Sequence, residues 1–224
     1  MILLAIVLLL ALFLLPNLWA RWVLRRHGAP RADYPGTGGE LAEHLLRRLG
    51  IAGVTVEMTE AGDHYDPRAR RVRLAREHYA GRSLTAVTVA AHEVGHAIQH
   101  QQGYAPLAAR TRLVQVARRA EQLGALLMMA APVLLVVTRL PGGTLLVVLA
   151  ALISFGTAAL VHLITLPVEW DASFQRALPL LEEYLPADDL PGARHVLTAC
   201  VFTYVAASLA SLLNLGRWLA ILRR

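Results

Sequence analysis

Residues 84–102 read LTAVTVAAHEVGHAIQHQQ, an apolar run that carries a His-Glu-x-x-His pattern at residues 92–96. Ser83, directly before the run, is a preferred helix N-cap residue, and Gly103, directly after it, favours a helix end. We therefore expect a helix over residues 84–102. Because residues four apart share a helix face, His92 and His96 should point in the same direction.

The pattern predicts a zinc site. The imidazoles of His92 and His96 can converge on one Zn²⁺, and Glu93 can reach the fourth position and take a proton from the bound water. Apolar neighbours would bury the helix, and a buried histidine pair with a carboxylate needs a partner such as a metal. The alternative, from the pattern alone, is an exposed His/Glu helix face. Gly95 costs about 1 kcal/mol relative to alanine inside a helix, so we expect another segment to approach the backbone there.

Outward from this helix, the composition favours a membrane protein. Hydrophobic residues make up 56% of the 224 residues and charged residues 17%, and the mean hydropathy is +0.47. An ordinary soluble domain is closer to about a quarter charged. Four uncharged runs approach the roughly 20 residues that a spanning helix needs. They are residues 2–20, 122–138, 140–168 and 195–216.

These runs predict about four transmembrane helices. The run 2–20 is interpreted as a retained anchor, because it lacks the charged n-region of a signal peptide. The runs 122–138 and 140–168 form a predicted hairpin over residues 122–168 that turns at Pro141-Gly142-Gly143. A buried core helix is the alternative for 122–138, which has the minimum length for a span. Residues 195–216 are the predicted C-terminal membrane helix.

The arginines predict the orientation and exclude one class of partner. All 22 basic residues are arginine, the formal net charge is +6, and arginines flank both ends of residues 21–121. The positive-inside bias therefore predicts that this segment lies in the cytoplasm, and that the basic excess reflects topology and not nucleic-acid binding. Three arginines at residues 217–224 oppose this layout. Either the last segment is re-entrant or interfacial, or these arginines do not follow the bias.

Residues 21–121 are long enough for one small core. An amphipathic helix is predicted over residues 40–49, and alternation predicts short strands over 54–58 and 71–74 that form a small sheet. Residues 63–68 are interpreted as a turn; the functional alternative is that 71–74 is an edge strand that pairs with an extended substrate. The expected fold is a mainly α membrane protein with about four transmembrane helices and a small α+β zincin-like cytoplasmic domain.

A catalytic zinc site needs a third protein ligand and one open position. His100 is excluded, because about 12 Å of helix rise separates it from His92. The candidate is Glu169, in the predicted cytoplasmic segment 169–194, because two spans would return it to the membrane face that carries His92. An ordinary interfacial carboxylate is the alternative reading of Glu169.

Four motifs together resemble the YugP-like neutral zinc metallopeptidases of bacterial membranes. The motifs are Asp63-His64-Tyr65-Asp66-Pro67-Arg68, Val89 to His100, Tyr104-Ala105-Pro106-Leu107 and Leu166 to Ser173. The resemblance implies a gluzincin-type site with His92, His96 and Glu169 on zinc and Glu93 as the catalytic residue. Related membrane proteases often carry an Asp four residues after the ligand Glu, where this chain has Ser173. The residue that supports the zinc-bound histidines therefore stays open between Ser173, Asp171 and His100.

These patterns predict a multi-pass zinc metalloendopeptidase of the bacterial cell membrane, with one Zn²⁺ per chain and the active site facing the cytoplasm. Zinc would polarise the scissile carbonyl and Glu93 would deprotonate the bound water. The expected partners are a protein or peptide substrate and the lipid bilayer. The leading alternative is a zinc-binding membrane scaffold or regulatory protein without proteolytic activity, against which the base Glu93 argues. A transporter is disfavoured, because a single ionisable side chain lies between Arg139 and Glu169.

Overall fold

The computed structural model describes residues 2–139 and 141–203, and it leaves out some side chains within the helices. The chain is mostly helical with one small sheet. The α-helices are α1 (Ile2–Arg26), α2 (Gly38–Arg48), α3 (Arg76–Tyr79), α4 (Leu84–Gln101), α5 (Ala105–Thr138), α6 (Pro141–Ile164), α7 (Leu166–Trp170) and α8 (Leu178–Tyr184). A π-helical turn (Asp171–Ala177) joins α7 to α8, a 3-10 turn follows at Ala187–Asp189, and residues 190–203 are helical and are called α9.

Local sequence explains where α2 and α4 begin and end. Thr37 and Glu40 form a capping box at the start of α2, in which each side chain bonds the backbone N–H of the other residue. The Ser83 hydroxyl accepts a hydrogen bond from the Ala86 N–H at the start of α4, which confirms the predicted N-cap. Gly103 has φ +64° and follows the end of α4, so the predicted stop is also confirmed.

The sheet has three strands, β1 (Thr55–Thr59), β2 (His64–Asp66) and β3 (Arg71–Ala75), in the order β1-β3-β2. The β1–β3 pair is parallel and the β2–β3 pair is antiparallel. Residues 63–68 therefore contain a strand and not only a turn. The hypothesis that residues 71–74 form an edge strand is wrong, because both sides of β3 are already paired.

The chain forms two compact units, each with its own packing. The first comprises residues 15–108 and 167–203. Its core is built around the apolar residues of α4, which pack with buried side chains of α2, β3, α8 and α9, such as Leu45, Leu74, Leu181 and Val196. In the second unit, α5 and α6 pack through Met128 against Ala151 and through Ala117 against Val161.

The expected fold class, a mainly α membrane protein with about four transmembrane helices, is wrong. Along residues 2–139 and 141–203, no helix combines the length and the apolarity that crossing a membrane requires. The prediction equated uncharged runs with spans, and the helices of the structure do not follow the bounds of those runs. The structure divides the uncharged run 140–168 between α6 and α7, and α5 begins in an arginine-rich stretch before the run 122–138. Residues 204–216 of the predicted C-terminal membrane helix lie outside the described residues.

Candidate metal centre and active site

Helix α4 carries two of the site residues on one buried face. The ring centroids of His92 and His96 lie 4.9 Å apart. Each histidine is only 3% exposed, because the apolar side chains that precede and follow them pack into the core of the first unit. The spacing of four residues therefore brings two imidazoles together in a place that excludes water.

Glu169 on α7 completes the cluster. Its Oε2 atom lies 3.4 Å from His92 Nε2 and 3.2 Å from His96 Nε2, and Glu169 is fully buried. The ligand atoms of these three residues all lie within 4.8 Å of one another. Among the described residues, no other group of three or more His, Cys, Asp or Glu side chains is arranged closely enough to hold a metal ion.

The donor set and its spacing fit zinc. Two ligand atoms about 2.0–2.2 Å from a tetrahedral zinc ion lie about 3.3–3.6 Å from each other. The two measured carboxylate–imidazole distances, 3.2 and 3.4 Å, are close to that range. Two imidazole nitrogens and one carboxylate oxygen are ligands that zinc binds in catalytic sites, where a fourth position stays open.

A second group of polar side chains holds the outer nitrogens of both imidazoles. Ser173 Oγ lies 3.0 Å from His92 Nδ1, and Gln99 Oε1 lies 2.9 Å from His96 Nδ1. Both Ser173 and Gln99 are fully buried. Each ring is thus fixed by a hydrogen bond on the side that faces away from Glu169, which leaves Nε2 directed at the carboxylate.

Close backbone contact between α4 and the π-helical turn makes this arrangement possible. A β-carbon at Gly95 would lie 2.5 Å from the carbonyl oxygen of Ala172, so the prediction of a close approach at Gly95 is confirmed. A π-helical turn packs more residues into each turn than an α-helix does, and such turns are frequent at functional sites. Here the turn follows Glu169 directly and carries Ser173 to His92.

Glu93 is also buried, at 6% exposure, and several ionisable groups surround it. Burial, with the negative charges of Glu93, Asp63 and Glu169, raises the pKa of the Cys200 thiol well above its ordinary value. Burial would lower the pKa of His78, but a 2.7 Å hydrogen bond to Asp63 and the charges of Asp63 and nearby acids outweigh it and raise that pKa. The Glu93 carboxylate therefore lies in a region where a cationic imidazole is favoured and a thiolate is not.

Comparison with known proteins agrees with this chemistry. A family model described as "Putative neutral zinc metallopeptidase" matches residues 1–223. The chain belongs to this zinc metallopeptidase family. The chain is also 35% identical over 212 residues to "Putative membrane protease YugP" of Bacillus subtilis (strain 168), covering 92% of this chain and 91% of that protein. No solved structure matches the chain.

In this member of the zinc metallopeptidase family, three residues were candidates to support the histidine pair: Ser173, Asp171 and His100. The structure shows which of them contact the pair. Ser173 contacts His92 directly, whereas Asp171 reaches His96 only through the amide of Gln99. His100 instead accepts or donates a 2.7 Å hydrogen bond with the Tyr65 hydroxyl, away from Glu169. Sequence reasoning missed Gln99. Its signal was available, because Gln99 lies three residues after His96 on the same face of an apolar helix.

Proposed function

We propose that this protein is a zinc metalloendopeptidase that hydrolyses peptide bonds with a zinc-activated water and with Glu93 as general base. The observation that carries the proposal is the buried His92–His96–Glu169 cluster, with carboxylate–imidazole distances of 3.2 and 3.4 Å. Membership of a family described as zinc metallopeptidases supports the same chemistry. We further propose one zinc ion per chain, with His92, His96 and Glu169 as its protein ligands.

When bound, zinc supplies a Lewis acid that polarises the scissile carbonyl and lowers the pKa of a water molecule. The chain's own residues do the rest. Glu169 brings a negative charge that compensates the charge of the cation inside a buried site. Glu93 follows His92 directly on α4, and a helical offset of about 100° turns its carboxylate away from the ligand set.

Glu93 is proposed to move the proton. One carboxylate oxygen accepts a proton from the attacking water, and the same carboxyl group then donates it to the nitrogen of the leaving amine. The burial of Glu93 favours this role, because a site that excludes bulk water limits loss of the transferred proton to solvent. A scaffold or regulatory protein that only binds zinc would have no use for such a base, and this argues against that alternative.

The proposed substrate is a protein or peptide, and the proposed location is the bacterial cell membrane. The Bacillus subtilis relative is named a membrane protease, which supports this location. We further propose that the site faces the cytoplasmic side of that membrane. On this proposal, a cysteine introduced at the exposed Arg68 should resist an impermeant maleimide in intact cells and react once the cells are opened. Reaction in intact cells would overturn this orientation.

Zinc content of purified protein tests the ligand set. Wild type should hold about one zinc per chain, and His92→Ala, His96→Ala and Glu169→Ala should each lose most of it, because each removes one of three protein ligands. His100→Ala is the matched control on the same helix and should keep its zinc, because its ring contacts Tyr65 instead. Full zinc content in Glu169→Ala would remove Glu169 from the ligand set.

A further inference from the structure

The orientation of the Gln99 side-chain amide is determined by its neighbours. Gln99 Nε2 lies 2.9 Å from the Val168 carbonyl oxygen and 2.7 Å from Asp171 Oδ2. A carbonyl and a carboxylate accept hydrogen bonds but cannot donate them. The reversed amide would set an oxygen against both acceptors in a fully buried place, which is strongly unfavourable. The amide NH₂ must therefore face Val168 and Asp171, and the amide oxygen must face His96.

This orientation determines which nitrogen of His96 carries the proton. Gln99 Oε1 lies 2.9 Å from His96 Nδ1 and accepts only, so Nδ1 must carry hydrogen and donate it. With hydrogen held on Nδ1, Nε2 is the ring nitrogen that is left to bind a metal. His96 Nε2 is the atom that lies 3.2 Å from Glu169 Oε2. The tautomer that can bind a metal is thus selected by hydrogen bonds that do not involve the metal.

We propose that Gln99 is a positioning residue that selects the metal-binding tautomer of His96 and joins α4 to the segment that carries Glu169. This inference rests on the proposed zinc peptidase function. Gln99 contacts His96 through one end of its amide and the backbone of Val168, which precedes Glu169, through the other. One side chain thereby sets the position of a ligand on each of two elements.

The fold supplies both acceptors that hold Gln99. Val168 lies in α7, three residues before the π-helical turn begins, and its carbonyl accepts the side-chain donor of Gln99. Asp171 is held in turn, because the same Oδ2 atom accepts a 2.9 Å hydrogen bond from Arg176 Nε. Arg176 also donates to Gln102, one residue beyond the end of α4. The amide is therefore held by a charged network that spans both elements.

Ser173 contacts His92 as Gln99 contacts His96, but it constrains the ring less. Its Nδ1 atom faces the hydroxyl of Ser173, and a hydroxyl can either donate or accept. Ser173 therefore holds the His92 ring without selecting its tautomer. This difference predicts that loss of Gln99 lowers zinc affinity more than loss of Ser173.

The test compares full-length wild type with three full-length variants, each prepared free of metal. The apparent affinity for Zn²⁺ is measured by competition with a chelator, and the His96 tautomer is read from the long-range couplings of its ring nitrogens in ¹⁵N-labelled protein. Gln99→Leu should lower the affinity by about 10- to 100-fold, the usual effect of removing a partner of a ligand histidine. Ser173→Ala should lower it less. Gln101→Leu is the matched control, because Gln101 is exposed on the same helix, and its affinity should equal that of wild type.

The tautomer gives a result that a purely structural role would not produce. In metal-free wild type and in Gln101→Leu, Nδ1 of His96 should carry hydrogen, whereas Gln99→Leu, which offers Nδ1 no acceptor, should show a population with hydrogen on Nε2 alone. Wild-type His96 without hydrogen on Nδ1 would overturn the inference, even if Gln99→Leu failed to fold. Unchanged zinc affinity in a folded Gln99→Leu would overturn it too. A wild type with the Nδ1–H tautomer that binds no zinc would instead refute the proposed function, and would leave the selection of the tautomer by Gln99 intact.

Discussion

Replacing Gly95 with alanine should destabilise the protein, although alanine is the better helix former. The added β-carbon would lie 2.5 Å from the carbonyl oxygen of Ala172 and 3.2 Å from its carbonyl carbon. Both obstacles are backbone atoms, so no rotamer change relieves them and α4 must move away from the π-helical turn. Alanine gains about 1 kcal/mol of helix propensity, whereas overpacking costs about 1–3 kcal/mol and sometimes more. Because the obstacle is rigid backbone, the upper end of that cost, about 3 kcal/mol, applies, and the net loss in the free energy of unfolding should be about 2 kcal/mol.

Urea unfolding followed by circular dichroism measures this change. The control is Gly142→Ala in α6, where an added β-carbon has no neighbour within 4 Å and alanine should be neutral or stabilising. Zinc affinity should fall together with stability in Gly95→Ala, because the same displacement moves Ser173 away from His92. A Gly95→Ala protein that is as stable as wild type, or more stable, would refute the argument that close backbone approach requires this glycine.

Two further predictions concern stability. Thr37→Ala removes a capping box and should lower the free energy of unfolding by about 1 kcal/mol. Thr37→Ser keeps the hydroxyl and should therefore keep most of the wild-type stability. Equal losses of stability in the two variants would contradict the role of the cap. The pKa of His78 is raised by Asp63 despite burial, so the pair stabilises the fold most below about pH 6.5, and this stabilisation disappears as the pH rises through the folded-state pKa. The stability difference between wild type and His78→Asn should therefore shrink as the pH rises above about 6.5, and a constant difference would contradict the pairing.

The parts of the structure that depend on neighbouring residues were predictable from the sequence. Ser83 and Gly103 mark the ends of α4 because capping and left-handed glycine are local effects. Spacing on that helix also predicted that His92 and His96 share a face, and the unfavourable Gly95 predicted a close neighbour. Glu169 was a candidate because two predicted spans would return it to the membrane face of His92, a premise that is wrong, and because the family resemblance implied it. The structure does bring it to the two histidines.

The parts that depend on distant pairing were not predictable. The order β1-β3-β2 places β3 in the centre, and no local pattern distinguishes a central strand from an edge strand in so short a sheet. The π-helical turn packs against α4 where Ala172 meets Gly95, and no local propensity predicts such a contact between distant segments. The predicted spans are wrong as well, because no helix among the described residues has the length and apolarity that a span requires.

Glu93→Gln tests the central claim most directly, because the claim is that Glu93 moves a proton and does not bind the metal. The amide is nearly isosteric with the carboxylate, so the variant should fold and hold as much zinc as wild type. Cleavage of an unstructured protein such as casein should fall at least about 100-fold, the usual contribution of a general base. Glu60→Gln, the same change at an exposed position, should cleave at the wild-type rate. Casein cleavage by zinc-loaded Glu93→Gln at the wild-type rate would contradict the account.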